Sequence, residues 1–428
     1  MLPSGQNQTG WRLDYRARCA DTQGVSPGFP PSAGPRVRRA TLLVAGAVAG
    51  VLALSGCSVG QLGVHAGNGH DSSSARISLS PAKTKSIVPS SPVVVSVLAG
   101  RLTDVVVQGP GGAAVPGALS VDGRTWTSES GVLDYNAAYS VSALAVDRTG
   151  LPTKFRTTLH TVAPSSFLGM SVAPAEGARV GVGMPITVNL DRKLSNQSAK
   201  AAFEKNVTVQ VDGNPVVGGW RWLTDQVVVY RPQSYWPGNA TVTVTAAVKG
   251  VKFMSGLWGE KTTTTTFHTG PAMVSYVDMR TDMMRVTKDG KLVRMIPITT
   301  GKPGFESRSG VKVIMNKERT RIMDAATGGT AKTDPEYYRL QVEYAMRLTW
   351  SGEFLHAAPW SVAHQGHTNV SHGCTGMSTA NAAWLYANSQ IGDVVVYTGH
   401  DKPMEPGNGI TVWNTSWAKW QTYSVLSA

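Results

Sequence analysis

Five of the nine histidines, His356, His364, His367, His372 and His400, fall within 45 residues, and Cys374 lies among them. The stretch reads Phe354-Leu355-His356-Ala357-Ala358-Pro359-Trp360 and, further on, Ser371-His372-Gly373-Cys374-Thr375-Gly376. A thiol attacks as its thiolate, and a neighbouring imidazole both lowers the thiol pKa and can take its proton. Gly373, directly before Cys374, lets the backbone approach a substrate closely, so that successive N–H groups could hold a developing oxyanion. These residue types point to acyl transfer by a cysteine nucleophile with a histidine base. Two other readings use the same residues. Zinc could take His356, His367, His372 and Cys374, although the loop spacing offers no helical His-x-x-x-His pair to preform the geometry. Cys374 could also be a core cysteine, although its polar, glycine-flanked surroundings are unlike an apolar strand.

His356, fourteen intervening residues and then Ser371-His372-Gly373-Cys374 resemble the signature of the L,D-transpeptidase (YkuD-type) catalytic domain. The resemblance covers most of 272–398: a hairpin turning at Lys288-Asp289-Gly290-Lys291, the Thr300-Gly301-Lys302-Pro303 turn, the Ser307-Arg308-Ser309-Gly310 loop and a closing strand over 392–396. It implies Cys374 as nucleophile and His356 as base, oriented by a backbone carbonyl. It also implies an oxyanion hole from the backbone N–H groups of His372, Gly373 and Cys374, with Ser351 lining the pocket. Residues 319–343, with Gly328-Gly329 and a turn at Asp334-Pro335, resemble the family's active-site lid. Met323, Tyr338 and Trp360 would then be pocket walls, with plain core packing an equal reading for each. The family usually carries Asn or Arg two positions after the cysteine, where this chain has Gly376, a change that bears on substrate anchoring. The implied reaction releases D-Ala from the tetrapeptide stem of peptidoglycan and forms a 3→3 cross-link through a thioester, with no metal or organic cofactor, and carbapenems are the β-lactams expected to acylate the cysteine. Hydrolysis by water (a carboxypeptidase) and a cell-wall-binding scaffold with a decayed site are the alternatives.

A site of this kind needs elements to hold it, and 428 residues allow two to four domains. Charged residues at 16% and hydrophobic ones at 42% exclude wholesale disorder. The 46 Gly and 24 Pro favour short strands over long helices. Alternating runs at 93–97, 105–108 and 139–146, separated by turns such as Gly109-Pro110-Gly111-Gly112 and Val121-Asp122-Gly123-Arg124, read as strands of one sandwich over 92–163. Residues 164–269 repeat the grammar with 207–211, 227–230 and 240–247. Trp126 and Trp222 are shared landmarks, as are His160 and His268 in the closing strands. The expected fold is therefore mainly β: two tandem Ig-like sandwiches, then a mixed-β L,D-transpeptidase catalytic domain over 270–398 and a helical C-terminal tail over 399–428. Three cysteines cannot supply an inter-sheet disulfide for each sandwich or a four-thiolate zinc site.

Upstream, Arg36, Arg38 and Arg39 precede an apolar run at 41–54, which is shorter than the roughly 20 residues that span a bilayer. This is the pattern of a signal peptide. It ends in Leu54-Ser55-Gly56-Cys57, which resembles a bacterial lipobox and implies cleavage of 1–56, acylation of Cys57 and a tether to residue 91. The expected location is extracytoplasmic, anchored to the plasma membrane by lipid and facing the cell wall. Residues 1–56 carry six Arg and two Asp, so their removal takes the net charge from +13 to +9. An exported basic chain meets no cytoplasmic nucleic acid, which leaves membrane or anionic cell-wall polymers as polyanion partners, or a solvated basic surface with none. In the tail, Trp413, Trp417 and Trp420 share one face if the segment is a single helix, and the expectation is docking onto the catalytic domain.

Overall fold

The computed structural model describes residues 72–427, and the leader, Cys57 and the first part of the expected tether lie outside them. Strands dominate, and none of the helices among the described residues is long and apolar enough to cross a membrane.

The first sandwich packs the strands Arg76–Ser80, Val94–Leu98, Thr125–Ser128 and Gly117–Leu119 against Gly100–Gln108, Ala138–Asp147 and Pro152–His160. Side chains in Ala138–Asp147 alternate between exposed and buried, the period of a strand with one face on a core. That core holds Val95, Trp126, Leu133, Tyr139, Val141 and Leu159. Arg76–Ser80 corrects the expectation of a flexible tether reaching residue 91, because it pairs antiparallel with Val94–Leu98 while Ala75 and Ile87 are buried in the core. Ser78 and Ser80 sit on this edge strand, whose open side tolerates polar residues, and Pro81 follows directly after it.

The second sandwich faces a five-stranded sheet (Arg179–Val180, Thr262–Thr269, Thr241–Ala247, Val207–Val211, Asn214–Pro215) against a four-stranded one (Gly218–Trp222, Val227–Pro232, Ile186–Leu190, Met170–Ala173). Phe203, Trp220, Tyr230, Trp236 and Phe267 fill its centre. The two tryptophan landmarks differ in role, since Trp126 is core whereas Trp222 is half-buried with its Nε1 donating to Glu204 at 2.8 Å. His160 and His268 do hold matching places, each in a closing strand and paired antiparallel, with Ala138 and Thr241 respectively.

In the C-terminal domain a five-stranded sheet runs Lys291–Pro297, Met283–Lys288, Met273–Asp278, Val394–Thr398, Gly310–Val313, and a four-stranded sheet runs Asn316–Asp324, Arg339–Arg347, Phe354–Ala357, Thr375–Met377. Val277, Met284, Ile296, Met346, Leu355, Met377 and Val395 form the core of this domain, with Leu385 of the helix Thr379–Asn388. The hairpin turns at Asp289 (φ 51°) and Gly290 (φ 79°), both in the left-handed region that two-residue hairpin loops require.

The tail departs from expectation. It is not one helix: Val412–Asn414 is a single turn and Trp417–Gln421 a separate short helix capped by Ser416, whose Oγ accepts from the Lys419 N–H. The three tryptophans instead surround Arg231 of the second sandwich, with their ring centroids 4.9 to 5.4 Å from its guanidinium. Trp413 Nε1 donates to Gly183 O at 2.8 Å and Trp420 Nε1 to Gly219 O at 2.9 Å, so the tryptophan-bearing end of the tail docks on the sandwich, while the tail also contacts the catalytic domain through Glu405, Asn408 and Asn414. Among the described residues no carboxylate pairs with the buried Arg231, and the indole faces serve its charge alongside the carbonyls of Pro232, Gln233 and Thr415.

Candidate active site

The strands Phe354–Ala357 and Thr375–Met377 are paired in parallel, with His356 opposite Gly376. Parallel neighbours need a crossover of a dozen or more residues, which is what the spacing between His356 and the Ser-His-Gly-Cys segment supplies. The crossover returns Cys374 to the threshold of the second strand, so sulfur and imidazole both line one cavity of about 330 Å³. Met323, Tyr338, Trp360, His372 and Gly376 also line it, as do Thr299, Leu340, Val342, His364, Val370 and Ser371. Met323 and Tyr338 come from the two sides of the antiparallel hairpin formed by Asn316–Asp324 and Arg339–Arg347, the segment expected to be the lid.

His356 is buried, and its Nδ1 lies 2.8 Å from Ala357 O. In the neutral ring that contact places the proton on Nδ1 and leaves Nε2 as an acceptor. Burial depresses the imidazole pKa and the Ala357 carbonyl raises it, burial being the larger effect, so the ring is neutral at pH 7. Trp360, 59% exposed, stacks over it with centroids 6.0 Å apart. Cys374 is 9% exposed, and its Sγ–H points to Gly352 O at 3.5 Å rather than to His356. Burial pushes the thiol up to about 11; the Phe354 N–H, Lys312 and Arg347 oppose this shift, and Glu353 adds to it. The resting pair is therefore a neutral thiol and a neutral imidazole.

Gly373 has φ 114°, a conformation that favours glycine, and its N–H donates to Ser371 Oγ at 3.1 Å. Ser371 Oγ donates in turn to Cys374 O at 2.6 Å. The Gly373 N–H expected in the oxyanion hole is thus already engaged, while those of His372 and Cys374 meet no protein acceptor among the described residues. The His372 ring packs between Phe305 (4.6 Å) and Tyr338 (5.0 Å), with Nε2 2.6 Å from Glu336 Oε2.

Ser351 corrects the sequence expectation, because it lies outside the cavity lining and is exposed. Its N–H donates to Asn408 Oδ1 and its Oγ accepts from Asn408 Nδ2, both at 2.9 Å, a tie to the tail segment that no local pattern announces. His364 reaches the cavity rim despite lying outside the matched motif. His367 does not reach the cavity, and no three His, Cys, Asp or Glu side chains converge on a metal-sized site among the described residues, so the zinc alternative finds no ligand set. At Gly376 an added Cβ would stand 2.8 Å from Ala358 Cβ and 3.2 Å from Thr299 Cγ2, so the walls have closed over the position where a larger residue was expected. Glu336, Lys302, Lys312 and Glu353 were missed in the sequence, where single charged residues in strands and loops carry no signal of convergence.

Two family models match this chain, a bacterial Ig domain over residues 84–252 and the L,D-transpeptidase catalytic domain over 273–396. L,D-transpeptidase 2 of Mycobacterium tuberculosis is 33% identical over 331 residues, covering 77% of this chain and 80% of that protein. L,D-transpeptidase 5 of the same species is 31% identical over 360 residues, covering 82% and 77%. Among solved structures, LD transpeptidase LdtMt1 in complex with imipenem shares 33% identity over 55% of this chain and 99% of that one, with a TM-score of 0.47. An Ig-like region leading into a domain with Cys374 and His356 on one cavity, together with relatives matched over most of their length, places the chain in the L,D-transpeptidase family.

Proposed function

We infer that the protein is a peptidoglycan cross-linking enzyme working through a thioester on Cys374. The carrying observation is that Cys374 and His356 open on one cavity, with the His356 Nε2 left as an acceptor by the Nδ1 contact to Ala357. With both groups neutral at rest, the thiol proton passes to Nε2 as the sulfur attacks, which is general-base rather than ion-pair activation. The attacked carbonyl belongs to the L-centre of the third stem residue, diaminopimelate, and its oxygen takes the charge toward the N–H groups of His372 and Cys374. The protonated His356 returns its proton to the departing D-Ala amine, and a thioester remains. The side-chain amine of a second stem then attacks the thioester, the thiol is regenerated, and a 3→3 cross-link results. The lipobox-like Cys57 would hold this site outside the cytoplasm at the membrane face of the wall.

Incubation with a disaccharide-tetrapeptide, followed by mass spectrometry, tests this. Cross-linked dimer and free D-Ala are the expected products. Tripeptide without dimer would replace transfer by hydrolysis, and unchanged substrate would favour a binding role.

A further inference from the structure

Beside the nucleophile loop lies a buried cluster of charges with no part in the reaction just described. Lys312, from the Gly310–Val313 strand, is fully buried, and its Nζ is hydrogen-bonded to Glu353 Oε2. Glu353 is itself 5% exposed, and its Oε1 accepts from the Arg308 N–H at 3.1 Å and from Arg308 Nη1 at 2.9 Å. Arg308 also meets Glu405 from the tail. Burying an ammonium and a carboxylate costs several kcal/mol per ion, and replacing such a pair by apolar residues is often neutral or stabilising, so stability alone gives a weak account of it.

Residues packed against the cluster contact the two neighbours of the nucleophile and flank its sulfur. Ser307, next to Arg308, donates through Oγ to Gly373 O at 2.7 Å. A Cβ on Gly373 would lie 3.9 Å from Glu353 Cγ, so the acid is in contact range of the loop. The Lys312 Nζ sits 3.5 Å from the Tyr397 ring centroid, and Tyr397 OH is hydrogen-bonded to Thr375 Oγ1 at 2.6 Å. On either side of Glu353 are the two backbone groups that face the sulfur, Gly352 O and the Phe354 N–H.

We propose that Lys312 is a positioning residue for the acyl transfer: it supplies the fixed positive charge that the Cys374 thiolate needs in a dry site, and Glu353, clamped by Arg308, holds that charge in place. A thiol this buried meets little water, so the compensating charge has to come from the protein. The other ionisable side chains whose charge bears on the thiol are Arg347 from the Arg339–Arg347 strand, Tyr338, and Tyr397 from the Val394–Thr398 strand, with His356 and His372 lining the same cavity. Of the cations, Lys312 is fully buried whereas Arg347 is half-buried. Burial brings Lys312 down to about 8 while Glu353 pulls it up, so the carboxylate is what keeps the ammonium charged near neutral pH.

The inference rests on Cys374 being the nucleophile, so its test reads the thiol directly. Iodoacetamide alkylation of the full chain at pH 7, where the ammonium is charged, followed at the Cys374 peptide by mass spectrometry, reads the thiolate population whether or not any acyl group is transferred. Lys312→Gln and Lys312→Met should slow alkylation about tenfold, the scale of one lost charge in a partly polarisable interior. Acylation by tetrapeptide at pH 7 should fall by a similar factor. As the pH rises past about 8 Lys312 loses its charge, so the wild-type advantage over Lys312→Gln should shrink there. Lys312→Arg, which keeps the charge, should alkylate at the wild-type rate at pH 7, and Glu353→Gln added to Lys312→Gln should restore part of the rate by removing the opposing acid. A packing role would lower thermal stability without changing the alkylation rate. An unchanged rate at pH 7 in either folded neutral variant, or an equal loss in Lys312→Arg, overturns the proposal. The expected set of rates in a protein that forms no cross-link would overturn the function and leave this inference standing.

Discussion

His372 Nε2 lies 2.6 Å from Oε2 of Glu336, which ties the lid hairpin to the residue two before the nucleophile. The same carboxylate oxygen accepts from Lys302 Nζ at 2.7 Å, so three segments meet at one half-buried acid. Lys302 and then His372 hold Glu336 below the usual carboxylate range. Its contribution is accordingly present above the unfolded-state pKa and is lost as the pH falls through the lower folded-state value. Glu336→Gln should therefore separate from wild type in lid protection, read as hydrogen exchange of residues 325–338, at pH 7, and converge with it in acid. Equal exchange at pH 7 would remove the latch.

His356 should part company kinetically with His364 and His400. His356→Ala should slow Cys374 acylation by about 100-fold or more, the range typical of losing a general base. His400, whose carbonyl accepts from Ser309 Oγ, makes no contact with the cavity, and His400→Ala should acylate at the wild-type rate. His364 sits on the rim, so His364→Ala should alter KM for the stem more than the acylation rate. Single-turnover mass spectrometry reads all three.

A strained β-lactam carbonyl tests the nucleophile without an acceptor. One carbapenem equivalent should be found on the Cys374 peptide, and Cys374→Ser should carry almost none, because a serine hydroxyl stays protonated at neutral pH. Intact mass after prolonged exposure decides between a stable adduct, rapid turnover and no reaction.

Trp420 is fully buried against Gly219 and Arg231, so Trp420→Ala should cost about 3 to 5 kcal/mol, the range for emptying a buried aromatic site. Thermal denaturation of the whole chain should show it, while Leu426→Ala, at an exposed position, should leave Tm unchanged.

On the proposal that Cys57 is acylated, Cys57→Ala should move the protein from the detergent phase to the aqueous phase. Wild-type protein found unacylated in the aqueous fraction would end that proposal.

Strands were legible wherever one face is buried, because alternation follows burial: 207–211 was read as it stands in the Val207–Val211 strand. The Ser-His-Gly-Cys segment was legible because its chemistry is contiguous. Arg76–Ser80 was hidden by its composition, since a polar edge strand and a polar tether share the same residues. The tail spacing suggested one helix, but the ring of tryptophans is set by a partner nearly two hundred positions away, Arg231, and a local period cannot report that. Ser351 failed for a similar reason, its partner Asn408 being 57 residues distant. Lys312 and Glu353 illustrate the general limit, because charges 41 residues apart announce no pairing until the strands are assembled.

The docking of Trp420 beneath Gly219 spans 201 residues of sequence, and it sets an order of assembly. During synthesis the second sandwich emerges with Arg231 bare, and its last wall arrives only with Trp413, Trp417 and Trp420. Contacts of such separation close slowly. A chain cut short before Trp413 would thus present a catalytic domain with its cysteine in place beside a spacer that was never finished. Quality control by proteases would be expected to recognise the exposed guanidinium face of the sandwich rather than any fault at the site itself.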